Sequence, residues 1–275
     1  MNNAPAATHD RAVYLYCLSR PECLPAIQGQ NLPGVDERHP VTALEVGGSD
    51  VAAVIGEVDP AEFSEHNLQT LSWLGVRAQR HEAVVERVMG ASTVLPVKFG
   101  TLFSSRASLR KFIERHRVDI ALALDDLQDK VEWSVKGYLT DAVALPIVVA
   151  ADDEIQSRLA ALSPSPGARY IQQRQLDAKI EAALHSWLTR TTDAIQSALI
   201  SHAVASTPLR CHSNAVTGRP ARMVFNTSFL LADKTGFCTA LSEQQTVYQG
   251  SGLTLELQGP WPPYNFCPAL AGVAS

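Results

Sequence analysis

The residue pair with the most chemical potential in this sequence is His81-Glu82, which opens like a zinc-protease helix, with an imidazole to ligate metal and a carboxylate to act as base. Such a site needs its second histidine one helical turn further on, and position 85 is a valine. The metal reading fails on spacing. His81 falls on the apolar face of its helix, so it is expected as a hydrogen-bonded core histidine, and His116 is read the same way in the next helical stretch. Asp125, Asp126, Asp129 and Glu132, and further on Asp152, Asp153 and Glu154, are acidic enough to hold a hard cation. They lack the ligand loop with its central glycine. They read as solvated helix ends, the second cluster favouring the positive N-terminus of the helix that follows.

The remaining routes to catalysis are also missing. No G-x-x-x-x-G-K-[ST] phosphate loop, no G-x-G-x-x-G after a strand and no G-x-S-x-G elbow occurs. Cys17, Cys23, Cys211, Cys238 and Cys267 are odd in number and form no C-x-x-C pair, which fits reduced thiols in a cytoplasm rather than a disulfide framework or a zinc site. Cys17 lies in an apolar run and reads as a small buried hydrophobe. No catalytic residue, metal or cofactor is expected.

Two features remain as candidate contacts with a partner. Lys98 is the one charge in an apolar strand, and either its stem packs while its amine reaches water, or it meets an anionic group together with Thr101 at the turn beside it. The segment Gly259-Pro260-Trp261-Pro262-Pro263-Tyr264-Asn265-Phe266 puts Trp261, Tyr264 and Phe266 on a proline-stiffened scaffold. One of its X-Pro bonds is a candidate cis bond, and the last strand is expected to end here. As a P-x-x-P ligand for another domain it is weak.

The elements that must position these residues follow from periodicity. The central stretch is His81 to Ser104: the end of an amphipathic helix, a stop at Gly90 in a left-handed cap, a covered central strand through Val94, Leu95, Val97 and Phe99, a turn at Gly100, and a new helix capped by Thr101 or Ser104. Ahead of it come a strand at 12–18, a proline- and glycine-rich loop at 20–40, and a hairpin of strands 41–46 and 51–58 around Gly47-Gly48-Ser49-Asp50. The preceding helix shows Leu71, Leu74, Ala78, His81, Val85 and Val88 on one face. After it, Leu109 to Leu127 is helical, with a break near Val118 and Asp119.

Residues 131–139 alternate as a half-buried strand, with Val131, Trp133 and Val135 inward and Glu132, Ser134 and Lys136 outward. Then come a short strand in VALPIVVA, a short helix in DDEIQSRLAAL and a linker at SPSPG. A long helix over 168–205 has a seam of Ile180, Leu184, Trp187, Thr191, Ala194 and Ala198, and Pro208 is expected to stop it. Strands at 210–213 and 221–232, a helix at 237–248 and a strand at 252–258 complete the chain. The fold expected is α+β in two domains, an N-terminal one at 11–129 and a ferredoxin-like βαββαβ one at 130–266, with tails at 1–10 and 267–275.

At 275 residues two domains are the default, and 46% hydrophobic with 19% charged residues is a globular composition. A net charge of -5 gives no electrostatic reason to bind nucleic acid or an anionic membrane. No run approaches the roughly eighteen apolar residues of a membrane span. The first ten residues lack the basic and apolar regions of a signal peptide.

Taken in order, Val94-Leu95-Pro96-Val97-Lys98-Phe99-Gly100-Thr101, Glu132-Trp133-Ser134-Val135-Lys136 and Gly259 to Phe266 resemble the gas vesicle protein F and L family (GvpF/GvpL). The helix carrying His81-Glu82 and the stretch Asn226 to Leu230 are similar as well, so the resemblance runs from about Val13 to Phe266. Lys98 departs from the arginine common there, keeping the charge but losing bidentate geometry. The resemblance implies a non-enzymatic accessory protein of gas vesicle assembly, in the cytoplasm and with the vesicle. Its partners would be the hydrophobic shell subunit GvpA and other gas vesicle accessory proteins, and it would help the shell to nucleate or grow. The other reading is a small-ligand-binding or enzymatic ferredoxin-like domain, with the aromatic and proline segment walling a pocket. A pocket with convergent polar groups of displaced pKa would favour that reading.

Overall fold

Strand β1 (Ala12–Ser19, AVYLYCLS) is buried at every residue, which is what an aromatic and β-branched run with no charge demands of its surroundings. The computed structural model describes residues 11–46 and 50–268. The chain divides into two units, residues 1–131 with 261–275 and residues 132–260. In the first, β1 is the centre of an antiparallel sheet ordered β2-β3-β1-β4, built with β2 (Thr42–Glu45), β3 (Ala52–Val58) and β4 (Val94–Pro96), while β5 (Leu102–Phe103) also pairs with β1. β4 lies along Cys17–Ser19 and β5 along Val13–Tyr14, so both occupy the edge of β1 that β3 leaves open. The β1–β3 register slips between Leu15 and Cys17, a bulge that brings the Tyr14 and Tyr16 rings to 4.8 Å. The expected hairpin turn at Gly47-Gly48-Ser49, the expected tail at 1–10 and residues 269–275 of the expected tail at 267–275 lie outside the described residues.

Helices cover this sheet. α1 (Leu24–Ile27) interrupts the long first loop, and α2 (Glu65–Gln69), capped by Ser64, leads into α3 (Leu71–Met89). His81, Val84, Val85 and Val88 form the buried face of α3, and its three valines pack with Tyr14 and Tyr16 in one core, whereas Leu71 at the helix start is exposed. Gly90 does not take the expected left-handed conformation. At φ -68° and ψ -13° it continues the right-handed turn, its N–H bonding Glu86 O while those of Ala91 and Ser92 reach Val88 O. The strand after it is not central: β4 is a short, fully buried edge segment. Gly100 does turn the chain, at φ +84°.

The helix α4 (Arg106–Arg115) is capped by neither Thr101 nor Ser104. Ser105 caps it, in a reciprocal pairing with Ser108, because Thr101 is turned inward to the Lys98 carbonyl. The break before α5 (Arg117–Leu127) falls at His116, two residues earlier than expected, and Asp119 sits in the first turn of α5.

In the second unit β6 (Val131–Leu139), β7 (Ala205–Pro208), β8 (Arg222–Leu231) and β9 (Leu253–Trp261) form a sheet ordered β7-β8-β6-β9. Between β6 and β7 run α6 (Asp141–Ala150), α7 (Asp153–Ala160) and α8 (Pro166–Ile200). α9 (Asn214–Thr217) precedes β8, and α10 (Thr235–Val247) joins β8 to β9. Counting α6 to α8 as one crossover and α9 as an insertion, the succession is βαββαβ. The core gathers Val135, Leu139, Phe225, Phe229, Leu231, Leu253 and Leu255 of the sheet with Leu184, Ile195, Leu199, Phe237 and Leu241 of α8 and α10.

Several expectations change here. VALPIVVA is helical in α6, where Ala144 and Val148, four apart, share the buried face and Asp141 in the first turn holds Arg222. The buried line of α8 runs Leu184, Thr191, Ile195, Leu199, because a 3.6-residue helix drifts off a strict heptad and replaces Ala194 and Ala198 by their neighbours. That helix ends at Ile200, well before Pro208, so β7 occupies 205–208 instead of 210–213. On β6 both faces are covered: Glu132 and Ser134 are buried with Val135, and Ser134 bonds Ser228 at 3.1 Å. β9 does not stop at Gln258 but continues through a cis Gly259-Pro260 bond to Trp261, and from Trp261 on the chain belongs to the first unit.

Gly137 of β6 is where a side chain has no room, since a Cβ there would stand 2.8 Å from Phe225 Cβ. Gly137→Ala is expected to destabilise by about 1–3 kcal/mol in denaturant unfolding, whereas Gly167→Ala in the first turn of α8, with nothing within 4 Å, is expected to be neutral or slightly stabilising.

Candidate partner-binding groove

The first unit closes around a buried imidazole. His81 is positioned by the apolar face of α3, and Tyr14 by β1. Tyr264 is placed by buried Pro262 and Pro263 and by a 3-10 turn over Tyr264–Phe266, in which Tyr264 N–H bonds Pro262 O at 2.7 Å and Phe266 N–H bonds Pro263 O at 3.1 Å. His81 Nδ1 lies 2.9 Å from Tyr14 Oη and Nε2 lies 3.1 Å from Tyr264 Oη. Tyr264 donates to Glu82 Oε2 at 3.0 Å, and Gly100 N–H donates to Tyr14 Oη at 3.1 Å.

One proton arrangement satisfies every member. Tyr264 gives its proton to Glu82, so its oxygen accepts from His81 Nε2–H. The bare Nδ1 then accepts from Tyr14, whose oxygen accepts from Gly100. The imidazole is neutral. Burial pushes its pKa down from 6.5 to about 4, against a smaller opposing pull from the Val97 backbone. Burial drives the Tyr14, Tyr16 and Tyr264 phenols far up, helped at Tyr264 by the Glu82 charge. Tyr16 stacks on the imidazole at 5.6 Å, its own hydroxyl accepting from Val35 N–H at 2.9 Å, and Phe99 meets the imidazole edge-on at 5.9 Å. These displaced groups are spent on one another inside packed aromatics. Among the described residues no group of three or more histidine, cysteine or acidic side chains stands where it could hold a metal.

What the anchored segment does build is a wall. Past Tyr264, residues Asn265 to Pro268 and helix α5 enclose a groove of about 570 Å3. Phe266, Leu122, Ala123 and Leu127 give it an apolar lining, Leu122 being more than half exposed, and Asp119 and Asp126 put carboxylates on its rim with His116. Val118, one turn before Leu122, is also exposed. An apolar floor with an acidic border is suited to an apolar segment flanked by basic residues.

The five residues marked from sequence do not form one surface. Lys98 is exposed on the loop between β4 and β5, and Thr101 is buried, its hydroxyl donating to Lys98 O at 2.7 Å. Trp261 is exposed at the end of β9, Tyr264 is the anchor, and Phe266 lines the groove. The loop of Lys98 and Thr101 is joined to Tyr264 through Gly100, Tyr14 and His81. Glu82 and Asp126 were weighed from sequence only as parts of a metal site, and Leu122 and Asp119 were not marked as contacts. Val118 and Leu122, four apart and off the helix face of Ile120, Ala123, Leu124 and Leu127, were the available signal.

The family model described as gas vesicle synthesis protein GvpL/GvpF matches residues 12–268. Gas vesicle protein L of Streptomyces sp. (strain CB03234) is 27% identical over 282 residues, covering 96% of this chain and 94% of that protein. Gas vesicle protein L1 of Halobacterium salinarum is 25% identical, covering 86% and 83%. Among solved structures, that of GvpF from Anabaena sp. PCC7120 superposes with a TM-score of 0.71 at 17% identity over 94% of this chain and 98% of that one. GvpF from Microcystis aeruginosa gives 0.64 at 19% over 94% and 99%. These two share the fold.

The anchor has a pH signature. Between about pH 6.5 and about pH 4 the unfolded chain binds the His81 proton and the folded one does not, so stability falls as pH drops through that window and changes no further on this account below it. The full contribution is on the order of 3 kcal/mol. His81→Phe is expected to flatten that part of the stability–pH curve measured by urea unfolding. Tyr264→Phe, leaving Glu82 and His81 without their shared hydroxyl, is expected to cost about 1–3 kcal/mol at pH 7.

Proposed function

The chain belongs to the gas vesicle synthesis protein GvpL/GvpF family and so takes part in gas vesicle formation, and we propose that its part is to bind the hydrophobic shell subunit GvpA and assist nucleation or growth of the shell. The observation that carries this is the family match along residues 12–268. The groove beside Phe266 supports it physically. A subunit that polymerises into an apolar wall must have its faces covered until it is added. Leu122 and Phe266 offer such cover, and Asp119 and Asp126 select a segment with basic flanks. Modest apolar area also suits a helper that must release its cargo, since a large obligate interface would hold the subunit.

The protein acts here by binding, without catalysis or a cofactor, alongside other gas vesicle accessory proteins in the cytoplasm and at the vesicle. No helix of the described residues is long and apolar enough to cross a membrane.

Co-expression with GvpA followed by affinity capture tests the reading. Wild-type protein is expected to retain the shell subunit. Leu122→Asp and Phe266→Ala, with unchanged circular dichroism, are expected to lower retention by roughly tenfold, the loss typical of one interface anchor. Lys98→Ala is expected to leave it unchanged. No capture by the wild type, or full capture by both groove variants, contradicts the proposal.

A further inference from the structure

Helix α8 runs 35 residues, about 52 Å at 1.5 Å per residue. Leu176, Leu184, Thr191, Ile195 and Leu199 are buried, and α6, α7, α10 and β8 pack on the helix. A second line along its N-terminal half is exposed, its Asp177 and Glu181 bordering an open groove shared with Asp141 and Leu145 of α6 and Arg222 of β8. Tyr170, Arg174, Asp177 and Glu181 follow at intervals of four, three and four, which is one stripe of a helix, and all four are exposed. Ile171, Ala178 and Ala182 flank them, also exposed, and Tyr170 and Ile171 are each about 60% accessible, at 63% and 60%. An exposed tyrosine and isoleucine stand side by side in the second turn of the helix, bordered by small alanines.

The order of charges says which helix. We propose that α8 pairs with α8 of a second copy of this chain, antiparallel, about a two-fold axis crossing the stripe between Arg174 and Asp177. In that register Arg174 faces Asp177 of the second copy and Tyr170 faces its Glu181, and the two-fold makes each pairing twice. Every polar juxtaposition is a cation with a carboxylate or a hydroxyl donor with a carboxylate. Ile171 falls near Ala178 of the other helix, both on the same flank of the stripe, and the alanine lets the axes approach to within about 8–10 Å. A parallel pair in register would set Arg174 on Arg174, Asp177 on Asp177 and Glu181 on Glu181, which like-charge repulsion forbids.

The bonds within the helix do not oppose this. Gln173 donates to one oxygen of Asp177 at 2.9 Å, and Arg174 reaches Tyr170 Oη at 3.4 Å, both between neighbouring turns of the same exposed face. The pairing is independent of shell-subunit binding, since α8 and the Phe266 groove belong to different units.

Sedimentation equilibrium of the full chain over a wide concentration range tests it by charge reversal. The wild type is expected to dimerise, more weakly as salt is raised. Arg174→Asp and Asp177→Arg each set like charges together twice and are expected to weaken dimerisation at least about tenfold. The double variant Arg174→Asp/Asp177→Arg, which exchanges the signs and restores the pairs, is expected to recover most of the loss. A wild type that stays monomeric, singles that dimerise like the wild type, or a double variant no better than the singles overturns the proposal. These positions are on the surface, so the variants are expected to keep the parent circular dichroism and melting temperature.

Discussion

The imidazole of His81 is the point on which the first unit depends. It joins β1 through Tyr14, the β4–β5 loop through the Gly100 amide on the same hydroxyl, and the C-terminal segment through Tyr264. Three stretches far apart in the sequence are fixed by one small ring, which works because the ring stays neutral. A charged imidazole here would be buried with no carboxylate of its own, since the Glu82 interaction is reached through the Tyr264 hydroxyl. Burial among Tyr14, Tyr16, Phe63, Trp73 and Phe99 enforces that neutrality and strengthens the hydrogen bonds at once.

This constraint reaches the surface through the prolines. Pro262 and Pro263 fix the backbone between the end of β9 and the Tyr264 anchor, so the direction taken by Asn265 and Phe266 is determined by groups in the core. The groove against α5 therefore has one wall that is a helix and another that is an irregular segment held almost as firmly. Preorganisation of this kind spares a binding site the entropy of ordering a loop, which is the property a weak and reversible contact with a shell subunit would need.

Much of the fold was legible from local pattern. The run Ala12 to Leu18, the alternation Val131 to Leu139 and the periodicity of α3 and α8 each carry their own information within one element. His81 was legible as a core histidine because its neighbours one turn away are apolar. The errors lie where a neighbour decides. VALPIVVA is β-branched enough for a strand, and only packing against α8 and the Asp141–Arg222 pair makes it a helix. Glu132 and Ser134 read as solvent-facing because alternation cannot say that both faces are covered. Gly90 looked like a left-handed cap because glycine permits that conformation, but permission is not a requirement. The bond from Tyr264 to His81 spans 183 residues of sequence, and no periodicity encodes it. The proline and aromatic segment was visible as a feature; its destination was not.

The most direct measurement of the claim that this anchored segment frames the shell-subunit contact is amide hydrogen exchange of the full chain with and without GvpA. The account predicts added protection in residues 117–127 and 264–268 on addition of GvpA, with the strands of the second unit unchanged. Protection confined to other segments, with α5 and residues 264–268 exchanging as in the free protein, would contradict it.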